Sequence, residues 1–445
     1  MSVKQAVVLI HGIGEQKPMS TLRGFVDAVW THDEAIHNQY AGSGMWSKPD
    51  NVSQSFELRR LVTPQNIAGI ETHFFEFYWA HLMEGTSYGH VIAWARSLLL
   101  RRPSTVPRQL KPVYWLLIIL LTVALLLLAH AVIGRKTGMT AIPPWLSLVS
   151  SLLLVPLAGF IVLRVVGDAA RYLHVAPTNI QRRHEIRQAG VALLKALHEP
   201  ERKYDRILLV GHSLGSVIGY DILTHAWVDF NHDPPTGSKD ISALEALEEL
   251  AGSANERPDV VQSAQRRYFE ELKSNGNRWR VTDFVTMGSP LTHAALLLAN
   301  DLSDLRKKQD DREFPKCLPV LETLRRSHVD VKRFSYEVEP KKKDSYRVPH
   351  HAAVFAPTRW TNLYFPCRAI FWGDLVGGPL SGVTGEGVRD IAVSTRQRGG
   401  LFSHTLYWSP SKHGDSHIEA LRQALDLADR RAAPIDSTVP GKGSQ

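Results

Sequence analysis

The chain has 445 residues, 44% hydrophobic and 22% charged, which is ample for one large or two medium domains with a substantial core. Its formal net charge of +8 could suit nucleic acid, but no zinc-finger, RRM-type or basic-helix pattern is present, and the cations cluster beside apolar stretches, so a membrane surface explains them better. Its two cysteines, Cys317 and Cys367, lack metal-ligand spacing, which argues against a disulfide framework and fits a reducing compartment; no signal-peptide pattern opens the sequence.

Ala6 to Ile10 is an unbroken apolar run, as expected of a strand buried on both faces of a parallel sheet. A turn at His11-Gly12-Ile13-Gly14 follows, then a helical stretch from Thr21 to Tyr40, a loop from Gly42 to Val52 and an aromatic-rich strand from Thr72 to Ala80. Tyr88 to Leu100 reads equally as an interfacial helix on anionic headgroups or as a helix packed on a soluble domain. Val113 to Ile133 and Trp145 to Leu163 are two runs long and apolar enough to cross a hydrocarbon core of ~30 Å. Arg96, Arg101, Arg102, Arg108 and Lys111 precede the first run; Arg164, Arg171, Arg182 and Arg183 follow the second. The connection from Gly134 to Pro144 carries just Arg135 and Lys136, so the positive-inside rule predicts a transmembrane hairpin with its soluble flanks in the cytoplasm.

A helix is expected from Gln181 to His198 and a strand from Ile207 to Val210, running into Gly211-His212-Ser213-Leu214-Gly215 and a helical segment from Ser216 to Trp227. Asn231 to Asn277, with an acidic helical stretch at Leu244 to Leu250, reads as an insertion, either a lid or a solvated appendage. Val281 to Thr286, Arg359 to Phe365 and Arg389 to Ser394 supply further strands, with charged connections at Asp301 to Pro315 and Val338 to Pro349. Ser416 to Arg430 closes as a helix, and a disordered tail follows Ala432. The expected organisation is therefore residues 1–90 and 181–431 as two parts of one α/β domain, with an insertion at 231–277. Residues 91–180 form the interfacial segment and hairpin, and 432–445 the tail.

The chemistry concentrates at Ser213. An apolar strand, G-x-S-x-G and a helix make a nucleophile elbow, in which a sharp turn lifts a serine hydroxyl out of the fold. Such a serine needs a base, an orienting carboxylate and oxyanion donors. Elbow order places the acid and then the histidine downstream. His404 is the favoured base, in a loop between the last strand and the closing helix; His413 and His417 lie at or inside that helix, and His350 and His351 precede the proposed acid. Asp374, in the loop Phe371-Trp372-Gly373-Asp374-Leu375 with Gly377 and Gly378 near, is the favoured acid, and Asp390 is the alternative. The His11-Gly12-Ile13 turn resembles the HG-x turn of lipases, which implies the Ile13 N–H as one oxyanion donor, paired with the N–H of Leu214 just past the nucleophile; His11 is expected to brace the turn, and His212 is a weaker base candidate beside the nucleophile.

These motifs resemble the α/β-hydrolase superfamily, and within it the lipase- and esterase-like serine hydrolases. The resemblance is carried by Val7-Val8-Leu9-Ile10-His11-Gly12-Ile13-Gly14-Glu15-Gln16, Gly211 to Gly215, Val285-Thr286-Met287-Gly288-Ser289-Pro290 and His404. It implies a mostly parallel sheet flanked by helices, interrupted here by two transmembrane helices where family members usually continue with soluble structure. It also implies a Ser213-His404-Asp374 triad that needs no cofactor or metal. The expectation is a membrane-anchored hydrolase of lipid-like or apolar carboxylic esters, with the lipid bilayer and an apolar ester as partners. Thioester cleavage and acyl transfer by the same triad, or a non-catalytic membrane scaffold on this fold, remain the alternatives.

Overall fold

The computed structural model describes residues 3–12, 17–53, 55–83, 103, 106, 111–137, 143–162, 172, 177–253, 257–326, 329–338, 345–367, 373–394, 403–410 and 416–430. Its strands are β1 (Val3–Ile10), β2 (Trp46–Pro49), β3 (Arg59–Val62), β4 (Ile70–Phe77), β5 (Arg206–His212), β6 (Val281–Met287), β7 (Glu322–Arg326), β8 (Val329–Arg333), β9 (Ser335–Val338), β10 (Tyr346–Pro349), β11 (Arg359–Tyr364) and β12 (Arg389–Ala392). Eight of them form one sheet in the order β12-β11-β6-β5-β1-β4-β3-β2, and β7-β8 and β9-β10 are separate antiparallel pairs. From β4 across to β12 every neighbour is parallel, whereas β3 runs antiparallel to both β4 and β2.

The helices are α1 (Ser20–Val26), α2 (Lys111–Thr137), α3 (Pro144–Val162), α4 (Pro177–His198), α5 (Leu214–Trp227), α6 (Ser242–Gly252), α7 (Pro258–Ser274), α8 (Leu302–Asp310) and α9 (Ser416–Leu425), with single turns between some of them. The sheet is covered on both faces, which is why its central strands are continuous apolar runs. Strand alternation sends Ala6, Val8 and Ile10 of β1 toward α4, α5 and α7, while Val7 and Leu9 pack toward α1 and α9. Both cores are built from residues before and after the apolar segment, so the strands of 3–77 and 206–392 share one sheet.

Several expectations are corrected. The stretch from Thr21 to Tyr40 is not one helix: α1 passes into a wide turn at Asp27–Thr31, where the guanidinium of Arg422 donates to the carbonyls of Ala28 and His32 that a continued helix would use. The expected loop from Gly42 to Val52 contains edge strand β2, held by its pairing with β3 rather than by local pattern. Asn231 to Asn277 is neither lid nor appendage. Its α7 buries Tyr268 and Phe269, and Gln262 donates to the Trp360 carbonyl and Thr361 hydroxyl of β11, so the segment is part of the helical layer. The charged connections also hold structure, in α8 and the β9-β10 hairpin.

Among the described residues one helical stretch, Tyr114–Ile133 in α2, is long and apolar enough to cross a membrane, with a mean hydropathy of 3.0. The second expected span falls in α3, where the apolar stretch among the described residues is the shorter Trp145–Leu154; Leu163 lies outside them. The two helices pack together, with the Ser147 hydroxyl and His130 Nδ1 sharing a 3.0 Å hydrogen bond. Leu125, Leu126, Leu152 and Leu153 face outward, each more than 60% exposed. Tyr88 to Leu100, Ile13, His413 and the tail beyond Ala432 lie outside the described residues.

Candidate active site

The site forms where the parallel strands end at their carboxyl edge, the place where loops from several strands converge in such sheets. β5 ends in His212, and Ser213 adopts φ 53°, ψ −127°, a conformation rare for any residue with a Cβ. Its N–H donates to the Met287 carbonyl at the end of β6 (2.9 Å), so the turn is held by the neighbouring strand. A Cβ on Gly215 would stand 2.1 Å from the Ile10 carbonyl oxygen, and one on Gly211 2.5 Å from the Ser216 Cα. Backbone cannot retreat from such contacts, which is the physical reason for both glycines. Leu214 opens α5, and its N–H therefore has no carbonyl one turn back inside the helix. Ile13, the other expected oxyanion donor, lies outside the described residues.

Ser213, His404 and Asp374 are brought into one hydrogen-bonded line. The Ser213 hydroxyl lies 2.8 Å from His404 Nε2, and His404 Nδ1 lies 2.9 Å from Asp374 Oδ2. The His404 side chain keeps 20% exposure and Asp374 none, so the reactive end is reachable and the orienting end is dry. Burial alone would raise the Asp374 pKa. The His404 imidazole outweighs it, with donors from His404, Gly377 and Tyr407, and holds the carboxyl down to about 2. The carboxylate accepts from the N–H groups of Val376 (2.8 Å) and Gly377 (3.0 Å) on Oδ1 and from the Tyr407 hydroxyl (2.8 Å) on Oδ2. Gly288, at φ +57°, lets the chain pass so close that a Cβ would meet Asp374 Oδ2 at 2.8 Å.

The other predicted residues take supporting places. His212 is pushed down to about 3 by burial and by His404 alongside; as a neutral ring its Nε2–H donates to the His404 carbonyl (2.8 Å), so it braces the His404 loop and stands outside the Ser213 line. His11 is pushed down to about 4 by burial. Its Nδ1–H donates to the Gly12 carbonyl (2.7 Å), its ring stacks on Trp79, and the Trp79 indole donates to the His11 carbonyl, bracing the turn. Asp390 does not face the histidine: it accepts from Asn362 and from the N–H groups of Leu380 and Ser381, tying β12 to the acid loop. The His417 Nε2–H donates to the Ser409 carbonyl (2.9 Å) and the His350 Nε2–H to the Val320 carbonyl (3.1 Å), so both rings are engaged away from Ser213. His351 takes no part in the line.

Three contributors have no role in the sequence-based expectations. Tyr407 donates to Asp374, His293 donates to the Leu375 carbonyl (3.0 Å), and Ser289 pairs with Ser216, whose hydroxyl lies 2.6 Å from the Ser213 carbonyl. None left a usable sign, since Tyr407, three residues past His404, lies beyond the short turn at Ser403–Thr405 and is brought to Asp374 by the fold. A cleft of about 430 Å³ lined by Arg306, Lys316, Cys317, Leu321 and Glu386 includes none of the triad and is not assigned to substrate. Among the described residues no cluster of three or more His, Cys, Asp or Glu side chains is placed to hold a metal ion. The chain matches no family model, no curated protein and no solved structure.

Proposed function

We propose that this chain is a membrane-anchored serine hydrolase of the α/β-hydrolase type, cleaving carboxylic esters of apolar or lipid-like compounds through an acyl-enzyme. One observation carries the reading: a serine hydroxyl on a strained elbow, 2.8 Å from an imidazole whose other nitrogen is 2.9 Å from a buried, ionised carboxylate. In this arrangement Ser213 attacks the ester carbonyl while its proton passes to His404 Nε2, and Asp374 stabilises the imidazolium. The Leu214 N–H, at the positive end of α5, and the Ile13 N–H receive the oxyanion. Collapse expels the alcohol, which takes the proton from His404; water, deprotonated in turn by His404, then releases the acid and restores Ser213.

The outward-facing leucines of α2 and α3 support a bilayer partner, because a soluble surface seldom leaves so much contiguous apolar area uncovered. The proposal keeps two spans with the catalytic parts cytoplasmic, following the flanking cations. An apolar ester would then reach Ser213 from the bilayer side.

The test is a fluorophosphonate probe applied to membranes carrying the full chain. The expected result is covalent label in the alkali-washed membrane pellet, mapped to the Ser213 peptide, with Ser213→Ala unlabelled and its turnover of p-nitrophenyl acyl esters down by about 10³-fold or more. Equal labelling or equal turnover by Ser213→Ala overturns the assignment.

A further inference from the structure

We propose that Tyr407 is a positioning residue that sets the proton affinity of the His404-Asp374 pair, through a hydroxyl sharing one carboxylate oxygen with the imidazole. The inference rests on the hydrolase reading and deepens it. Tyr407 Oη lies 2.8 Å from Asp374 Oδ2, the same oxygen that His404 Nδ1 approaches at 2.9 Å. The Phe365 N–H donates to the Tyr407 oxygen at 3.2 Å, which leaves the phenolic proton directed at the carboxylate. The side chain is fully buried, packed against Phe365 and His212, so no water competes for either bond.

Each donor on a carboxylate disperses its charge and weakens its hold on a neighbouring cation. The Tyr407 hydroxyl therefore lowers the electrostatic reward for protonating His404, and keeps the ring a free base to lower pH than Asp374 with one fewer donor would. The other titratable groups facing the pair are few. On the elbow, His212 has its ring centroid 5.1 Å from that of His404, and it is neutral. His293, after β6, donates to the Leu375 carbonyl, and burial pushes its pKa down. Burial pushes the Tyr407 phenol well above the usual tyrosine range, so it donates at every working pH. Removing this one hydroxyl leaves Asp374 as the dominant charge on His404, now more basic.

The experiment is the rate of fluorophosphonate labelling of the full membrane-bound chain against pH, since this probe carries no titrating group of its own. Tyr407→Phe is expected to move the acid limb of that profile to higher pH by about half a unit or more, while labelling at the alkaline plateau persists. Replacing Tyr407 by a fluorinated tyrosine, a stronger donor of the same shape, is expected to move the limb to lower pH; this arm stands even where Tyr407→Phe fails to fold. A limb unmoved in the fluorinated chain, or a Tyr407→Phe rate reduced equally at all pH, overturns the role and leaves Tyr407 as packing. Failure of the parent to label at Ser213 overturns the hydrolase reading and this inference together, whereas a labelled parent with an unmoved limb overturns this inference alone.

Discussion

Asp374 and Glu76 are both carboxylates buried at the carboxyl edge of the sheet, and they end with opposite preferences for charge. Asp374 is ringed by His404, Tyr407 and two N–H groups, and its pKa is held to about 2. Glu76, on β4 beside Leu9 of β1, has burial as its leading influence and one opposing donor, the Met19 N–H at 2.6 Å; Oε1 has no hydrogen-bond partner among the described residues, and its pKa is pushed up to about 7. Burial is common to both, so donor count and an adjacent imidazole decide the charge. A third case, Asp283 at the opposite edge, is as buried as Asp374 and bound by Arg206, Arg359 and Thr282. Guanidinium cannot exchange a proton at working pH, so that cluster ties strands together without offering acid–base chemistry. A buried carboxylate marks a site when its partner can titrate and a strained nucleophile stands next to it.

The comparison can be broken most sharply at Asp374. Asp374→Asn presents an amide to His404 and favours the wrong tautomer, so ester turnover is expected to fall by about 10⁴-fold, or about 5.5 kcal/mol of transition-state stabilisation. The same variant tests the linkage. Because the folded pKa is depressed, the parent holds this stabilisation above the unfolded value and loses about 2 kcal/mol as pH falls from about 4 to about 2, whereas Asp374→Asn shows no such loss in melting temperature.

Next in size is the far edge. Arg206→Met leaves Asp283 with one guanidinium and frees the Leu425 and Asp426 carbonyls that Arg206 binds. A loss of about 3 kcal/mol in stability is expected, read as a lower melting temperature, with the pH profile of the surviving activity unmoved. A shifted profile would show that the two edges are not independent.

The smallest effect is at Glu76. Its folded pKa is raised, so its contribution is full below the unfolded value and is lost as pH climbs from about 4.5 to about 7. Glu76→Gln keeps an acceptor for the Met19 N–H without the charge. It is expected to be about 1 kcal/mol more stable than the parent at pH 8 and no more stable at pH 4, by thermal melting at the two pH values. A constant difference across that range would mean that Glu76 does not titrate there.

Much of the architecture was legible along the chain because its causes are local. Val7 to Ile10 and Leu208 to Val210 are too apolar to be anything but strands covered on both faces, and Ala6–Ile10 lies wholly inside β1. Short, sparsely apolar β2 and β3 were missed, since their pairing comes from the antiparallel partner and not from their own alternation. The segment 231–277 reads as an insertion because its acidic helical stretch breaks the strand–helix alternation. The burial of Phe269 and the reach of Gln262 to β11 exist only after folding.

By itself the sequence determined the elbow and its glycines, the apolar lengths of α2 and α3, and a short set of histidines and acids able to serve Ser213. These follow from excluded volume, hydrophobic period and order along the chain, which act over a few residues. Only the tertiary structure places His404 beside Ser213 and Asp374 beside His404, holds His417, His350 and Asp390 elsewhere, and sets Tyr407 and His212 around the pair. His404 lies 191 positions beyond Ser213, and Asp374 precedes His404 by 30, so assembly of the sheet alone brings each within 3 Å of the next along the line. Charge state follows the same rule: a carboxylate's pKa is set by the donors that folding assembles around it, and the chain carries no local record of them.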